Sequence, residues 1–268
     1  MRRLIHSIQL IIVALSFQAC EKEIDISYKD IAPLTVIEGE LSLQGTNVRI
    51  TMTTPMDEPM DTTLLTDADV TLYDLTEGTS EVLIAGSSGV FTGSMAGVTG
   101  HLYELTVVRD GKSYSSRCEM APPTDLPALE FNWIKMPYDH VAVLQVTFTD
   151  NSTAYGDCFW VRLYRNGKAY MWNIVTDLHS TDGVINDIFM TSRRDLDEED
   201  EKTALRDGDI VTASVSPISR DMYDYLEAIS SDSNGPELFT GDFCLGYFLA
   251  SPTLSASITF HPDEIKVY

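Results

Sequence analysis

Cysteine is nearly missing from this sequence: 268 residues contain four, at positions 20, 118, 158 and 244. No two are spaced C-x-x-C and none stands at zinc spacing from a histidine, which excludes a local zinc site or redox dithiol. The chain is no disulfide-stapled scaffold either. With Cys20 engaged elsewhere, the remaining three thiols form at most one bridge, and they read mainly as small buried apolar groups. Long apolar runs are missing too, since the stretch from Leu10 to Phe17 is far short of the roughly 20 residues that cross a bilayer as a helix. Positive charge is scarce: 18 Lys and Arg face 41 Asp and Glu, for a formal net charge of −23. That balance repels nucleic-acid phosphates and anionic headgroups, so no nucleic-acid partner is expected. Catalytic signatures are also missing: there is no G-x-S-x-G elbow, H-E-x-x-H, P-loop or dinucleotide fingerprint. A carboxylate-pair hydrolase needs no such motif, but the sequence singles out no pair among so many acids. The chain reads as non-catalytic, with no cofactor.

What is present begins at the N-terminus. Met1-Arg2-Arg3, the apolar run to Phe17 and Gln18-Ala19-Cys20 have the three-part build of a cleaved secretory signal ending in a lipoprotein cysteine. Residues 1–19 are expected to be removed and Cys20 lipidated, each buried methylene of its acyl chains contributing about 0.8 kcal/mol to anchoring. Glu21-Lys22-Glu23-Ile24-Asp25 follows. It resembles the acidic tag with which certain Gram-negative anaerobes send lipoproteins to the outer face of the outer membrane; the alternative is an ordinary polar tether over 20–30. With an acidic body behind it, the lipid is the expected membrane contact.

From residue 31 onward the pattern is almost all β. Val36 to Leu41, Val48 to Met52 and Ala68 to Tyr73 are short and β-branched, the last two alternating, with a polar loop from Thr53 to Thr66. Asp110-Gly111 is a type I′ turn pair whose two-residue loop sets Arg109 opposite Lys112, Val107 opposite Tyr114, Leu105 opposite Ser116 and Tyr103 opposite Cys118. The Tyr103, Leu105, Val107, Tyr114 and Cys118 face is then the core side, and Glu104 meets Arg117 outside. Three prolines between Ala121 and Pro127 place a boundary, giving domains at 31–122 and 123–268. The second half restarts at Phe131 to Ile134 and Val141 to Phe148, with later strands near 184–190, 210–215, 243–250 and 254–260, the last two closing its domain. One helix is expected, with Met222, Tyr225, Leu226 and Ile229 at i, i+3, i+4, i+7, capped by Ser219 and stopped by Asn234-Gly235-Pro236. The fold class is mostly β: two β-sandwich-like domains, the second carrying one short α-helix.

The hairpin around Asn166-Gly167 supplies the candidate site. Counting its register pairs Leu163 with Tyr170, Val161 with Trp172 and Phe159 with Ile174 as a core face, leaving Trp160, Arg162, Tyr164, Met171 and Asn173 on the other. Exposed aromatics stack on sugar rings or anchor a protein partner; alternatively the helix over Met222 to Ile229 covers this face as a second core layer. The acidic run with Asp195, Asp197, Glu198 and Asp200 offers carboxylates to a hard cation such as calcium, but lacks D-x-D-x-D-G spacing and equally reads as a solvated charge run. His101, His140, His179 and His261 are isolated; His261, near Asp263 and Glu264, is the best placed as a ligand.

The opening after Cys20 with Val36-Ile37-Glu38-Gly39, the hairpin from Tyr103 to Tyr114, the segment Ser219-Arg220-Asp221-Met222-Tyr223-Asp224-Tyr225-Leu226 and Leu245-Gly246-Tyr247-Phe248 together resemble a lipoprotein family labelled domain of unknown function 4249. The resemblance runs over nearly all of the chain after Cys20. It implies an outer-membrane lipoprotein, often encoded beside TonB-dependent receptors, with an immunoglobulin-like or carboxypeptidase-regulatory-like first domain and no catalytic residues to carry over. The functional expectation is a surface-exposed accessory or binding component of a TonB-dependent transport complex. The alternatives are a glycan-binding or adhesive surface lipoprotein and, last, a tethered hydrolase.

Overall fold

The computed structural model of the chain describes residues 32–55, 59, 63–135, 140–152, 156–180, 182–193 and 204–265. The expected signal, Cys20, the tether, and the run with Asp195, Asp197, Glu198 and Asp200 lie outside the described residues. The first strands follow from alternation. In β1 (Thr35–Ser42) and β2 (Gly45–Met52), Ile37, Leu41, Val48 and Ile50 turn inward while Glu38, Glu40, Asn47 and Arg49 turn outward. Next come β3 (Asp69–Asp74), β4 (Thr79–Ala85), β5 (Phe91–Gly93), β6 (Leu102–Arg109) and β7 (Lys112–Glu119). The β6–β7 hairpin has the register that its turn dictates, from Arg109 opposite Lys112 to Tyr103 opposite Cys118. Asp110 takes a left-handed φ of 52°, as a type I′ turn demands.

The second half contributes β8 (Ala128–Lys135), β9 (His140–Thr149), β10 (Cys158–Arg165), β11 (Lys168–Thr176), β12 (Val184–Arg193), β13 (Ile210–Ile218), the helix α1 (Arg220–Ser230), and then β14 (Thr240–Gly241), β15 (Leu245–Ala250) and β16 (Leu254–Thr259). A four-stranded sheet, β11-β10-β13-β16, lies over a three-stranded one, β12-β9-β8. Phe148, Phe159, Val161, Leu163, Phe189 and Val215 fill the space between, each contributing roughly 1.5–3 kcal/mol by burial. The helix is capped as its sequence implies, the Met222 N–H donating to Ser219 Oγ at 3.2 Å. Met222, Leu226 and Ala228 are buried, but Ile229 is 50% exposed because Ala228 takes the inward position of the last turn.

One expected strand departs from its place, and a short strand not expected from the sequence, β14, joins the first sheet with it. Residues 243–250 do not close the second half: β15 pairs parallel with β1, and β14 pairs with β7, so the first sheet runs β14-β7-β6-β3-β4-β5-β2-β1-β15. Sequence-local patterning is blind to such a pairing, because a parallel partner can lie any distance away. The approach of β15 to β1 requires glycine: a Cβ on Gly246 would collide with the Ile37 carbonyl oxygen, and its φ is 111°. The sheet bends over one core, where Ala250 N–H donates to Cys118 Sγ at 3.3 Å and Ser116 Oγ donates to the Leu238 carbonyl at 2.6 Å. Pro33–Tyr268 is thereby one compact unit containing two sandwich-like layers of sheet, although its β7–β8 connection falls at the proline-rich boundary. The chain is mostly β with a single α-helix among the described residues, and no helix among them is long and apolar enough to cross a membrane. Cys118, Cys158 and Cys244 are buried free thiols.

Candidate binding cleft

The expected face on β10 and β11 exists, but a β-bulge redistributes its residues. Arg165 pairs with Lys168 and Tyr164 with Ala169; the register then shifts, so that Leu163 faces Met171, Arg162 faces Trp172, Val161 faces Asn173 and Trp160 faces Ile174. Tyr170 is the extra residue. The core-face pairings of Leu163 with Tyr170, Val161 with Trp172 and Phe159 with Ile174 are therefore corrected: Trp172 and Ile174 join Trp160 and Arg162, whereas Met171 and Asn173 move to the opposite side. Met171 packs with Tyr170 on the second-half core, and Tyr170 Oη donates to the Thr191 carbonyl at 2.9 Å. Asn173 Nδ2 donates to Asp187 Oδ1 at 2.8 Å. Those two side-chain bonds to β12 are what the extra residue makes possible.

The face is then divided along its length. At one end α1 covers it: Cys158, Trp160, Met222 and Leu226 form a common cluster with Ile174, and Trp160 is only 8% exposed. At the other end the face opens into a cleft of about 620 Å³, whose opposite wall is the outward side of β1, β2 and β15. Trp160, Arg162, Tyr164, Met171 and Trp172 line one wall, Met171 reaching it from its place on the second-half core; Glu38, Glu40, Asn47, Arg49 and Tyr247 line the other. β1 and β2 set Glu38 opposite Arg49 and Glu40 opposite Asn47, while β15 places Tyr247 beside Glu38.

Arg162 ties the walls together. Its Nη1 donates to Glu40 Oε1 and its Nη2 donates to Ser216 Oγ at 3.2 Å, with the guanidinium 4.2 Å from the centre of the Trp160 ring. Burial opposes the charge of Arg162, and Glu40 more than offsets this, so its pKa lies above the ordinary arginine value. Tyr247 Oη donates to the same Glu40 oxygen at 3.1 Å, and burial together with Glu40 and Glu38 pushes the Tyr247 phenol up. Trp160 takes Tyr247 edge-on at 5.6 Å and Trp172 edge-on at 6.4 Å. Trp160 Nε1 and Arg162 Nε are buried without a hydrogen-bond partner. The cleft thus has a fixed aromatic wall, a paired charge at its base and polar groups on its far side, an arrangement suited to holding a small ligand.

Elsewhere, Asp150, Asp157 and Asp177 bring carboxylate oxygens within 4.8 Å of one another, the group among the described residues able to offer three acidic ligands to a hard cation. Asp177 Oδ1 accepts the Gly156 N–H at 2.8 Å, and burial, reinforced by Asp157 and Asp177, raises the Asp150 carboxyl. His261 pairs with Asp207 at 2.8 Å rather than with Asp263 or Glu264, and this bond raises its imidazole pKa. His101 is held by Asp74 at 2.8 Å. Trp172, Glu38, Glu40, Arg49 and Tyr247 were outside the expected site. Alternation in β1 and β2 turns the charged residues outward, but only the tertiary fold brings them to β10.

Among solved structures, the chain is similar to a two fibronectin type-III domain segment from chicken tenascin, at 11% identity over 85% of this chain and 99% of that one, with a TM-score of 0.24. It is similar at 12% identity to a chain of a cytokine receptor complex, over 69% of this chain and 91% of that one, with a TM-score of 0.27. A third similarity is to dimeric latent PorU from Porphyromonas gingivalis, at 13% identity over 81% of this chain and 20% of that one, with a TM-score of 0.22. No curated protein matches the sequence. The family model described as Domain of unknown function (DUF4249) matches residues 21–256, from just after Cys20 to the middle of β16, and the chain belongs to that family.

Proposed function

We propose that this chain is a non-catalytic lipoprotein, anchored through Cys20 in the outer membrane and facing the cell exterior, that acts as a binding component of a TonB-dependent transport complex. The observation that carries the reading is the cleft between the outward face of β1, β2 and β15 and the outward face of β10 and β11. The charges at its base are already satisfied by one another, as Glu40 is by Arg162 and Tyr247, which suits recognition better than proton transfer. The signal ending at Cys20 and the acidic segment after it support anchoring and surface display. The exposed indole of Trp172 favours a second reading, a glycan-binding surface lipoprotein.

The anchoring part is tested by changing Cys20 to Ala and fractionating the cells. Release of folded protein into the soluble fraction is expected; membrane retention would require a second anchor. The transport part is tested by which proteins leave detergent-solubilised outer membrane together with the chain.

A further inference from the structure

We infer that the cleft is a saccharide site for an uncharged oligosaccharide, with Trp172 as the stacking platform and Glu38, Asn47 and Arg49 reading the hydroxyls. This rests on the binding-protein reading and gives it a ligand class. Of the three tryptophans, Trp133 and Trp160 are buried and Trp172 is 39% exposed. Its ring is held edge-on by Trp160, itself fixed by Tyr247 and the Arg162 guanidinium. An indole held in this way offers a preorganised apolar face to the C–H side of a pyranose ring, with little ordering cost on binding.

The opposite wall supplies the polar half of the recognition. Glu38, Asn47 and Arg49 line the cleft, and their side chains make no hydrogen bond to other described residues. A carboxylate accepts from two neighbouring hydroxyls, a guanidinium donates to two neighbouring oxygens, and an amide does one of each, so together they match vicinal diols. Charge selects among sugars. Glu38 and Glu40 are balanced by Arg49 and Arg162, and the chain carries −23 overall, so nothing here draws in a phosphate, sulfate or uronate group. The volume of about 620 Å³ lies within the range of about 300–1,000 Å³ typical of small-ligand sites.

The test is titration of the detergent-solubilised full chain with maltotriose, cellotriose, xylotriose and mannotriose, with trigalacturonate as the anionic probe, read by calorimetry and tryptophan fluorescence. At least one neutral trisaccharide is expected to bind with Kd on the order of 1 mM or tighter. Trp172→Ala should weaken it about tenfold or more, and Glu38→Gln, which preserves shape and folding, should weaken it measurably. Trigalacturonate should bind less well than the best neutral probe. The proposal is overturned if no neutral trisaccharide binds, if trigalacturonate binds as tightly, or if a folded Trp172→Ala chain binds unchanged. Receptor recovery measured on the unaltered chain separates the two ideas: a receptor retained by a folded chain that binds no neutral trisaccharide removes the saccharide site and leaves the transport reading standing.

Discussion

Replacing Arg162 with Ala removes a side chain that joins β1 to β10 and β13 across the cleft. Its side chain is 12% exposed, and it makes an ion pair with Glu40, a hydrogen bond to Ser216 and a stack on Trp160. Breaking a buried ion pair by deleting one partner costs about 3–5 kcal/mol. Glu40 is 36% exposed, so water partly solvates the carboxylate left behind and lowers the expected loss to about 2–3 kcal/mol. For a unit of this size that is a fall in Tm of about 5–10 °C. Urea denaturation at neutral pH should show a lower midpoint with an unchanged slope. Arg162→Lys should recover less than half of the loss, because a single ammonium cannot reach both Glu40 and Ser216 with the planar fork that arginine provides. A double-mutant cycle with Glu40→Ala should give a coupling above about 1 kcal/mol. A loss below about 0.5 kcal/mol, or additivity of the two changes, would refute the reasoning that this contact clamps the sheets together.

Truncating the two cleft tryptophans should have opposite consequences: Trp160→Ala opens a cavity beneath α1 and costs about 3–5 kcal/mol, whereas Trp172→Ala costs under about 1.5 kcal/mol, as thermal melts will show. In acid, burial pushes Asp74 and Asp209 up, but hydrogen bonds from His101 and from the Arg206 N–H, Arg165 and Asn166 outweigh it, so both carboxyls titrate below the ordinary 3.8. Their contribution is complete above about pH 4 and disappears as the pH falls through the lowered values; a melting temperature that stays flat from pH 5 to about pH 2 would contradict this. Asp150 runs the other way: burial, then Asp157 and Asp177, raise its pKa, so its charge opposes folding as the pH rises through that value. Asp150→Asn should therefore be at least as stable as the parent at pH 7, and a lower urea midpoint would show that the charge is used.

The two hairpins show how far a sequence reaches. Asp110-Gly111 and Asn166-Gly167 are equivalent turn signals, and both form with left-handed φ at the first residue, 52° and 49°. The first register holds to the end of its strands because nothing outside the hairpin interrupts it. The second slips by one residue at Leu163/Tyr164, where Tyr170 reaches Thr191 on β12 and Met171 joins the core. Period-2 patterning has no term for a contact with a strand met later in the chain, and a slip of one residue exchanges the two faces. For that reason Asn173 is expected in the site and Trp172 is not, while Met171, although packed on the second-half core, still lines the cleft as expected. The cap at Ser219 and the cross-strand pair of Glu104 with Arg117, 3.3 Å apart, were legible because both are local. The parallel pairing of β15 with β1 is not local, so Tyr247 and the outward acids of β1 became part of the site only in three dimensions.

The most direct measurement is quantitative recovery of proteins bound to the tagged chain from detergent-solubilised outer membrane. The account predicts a TonB-dependent receptor in near-equal amount, retained when Cys20 is intact and reduced when the clamp at Arg162 is replaced. Recovery of the chain alone, under conditions in which it is folded and lipidated, would contradict it.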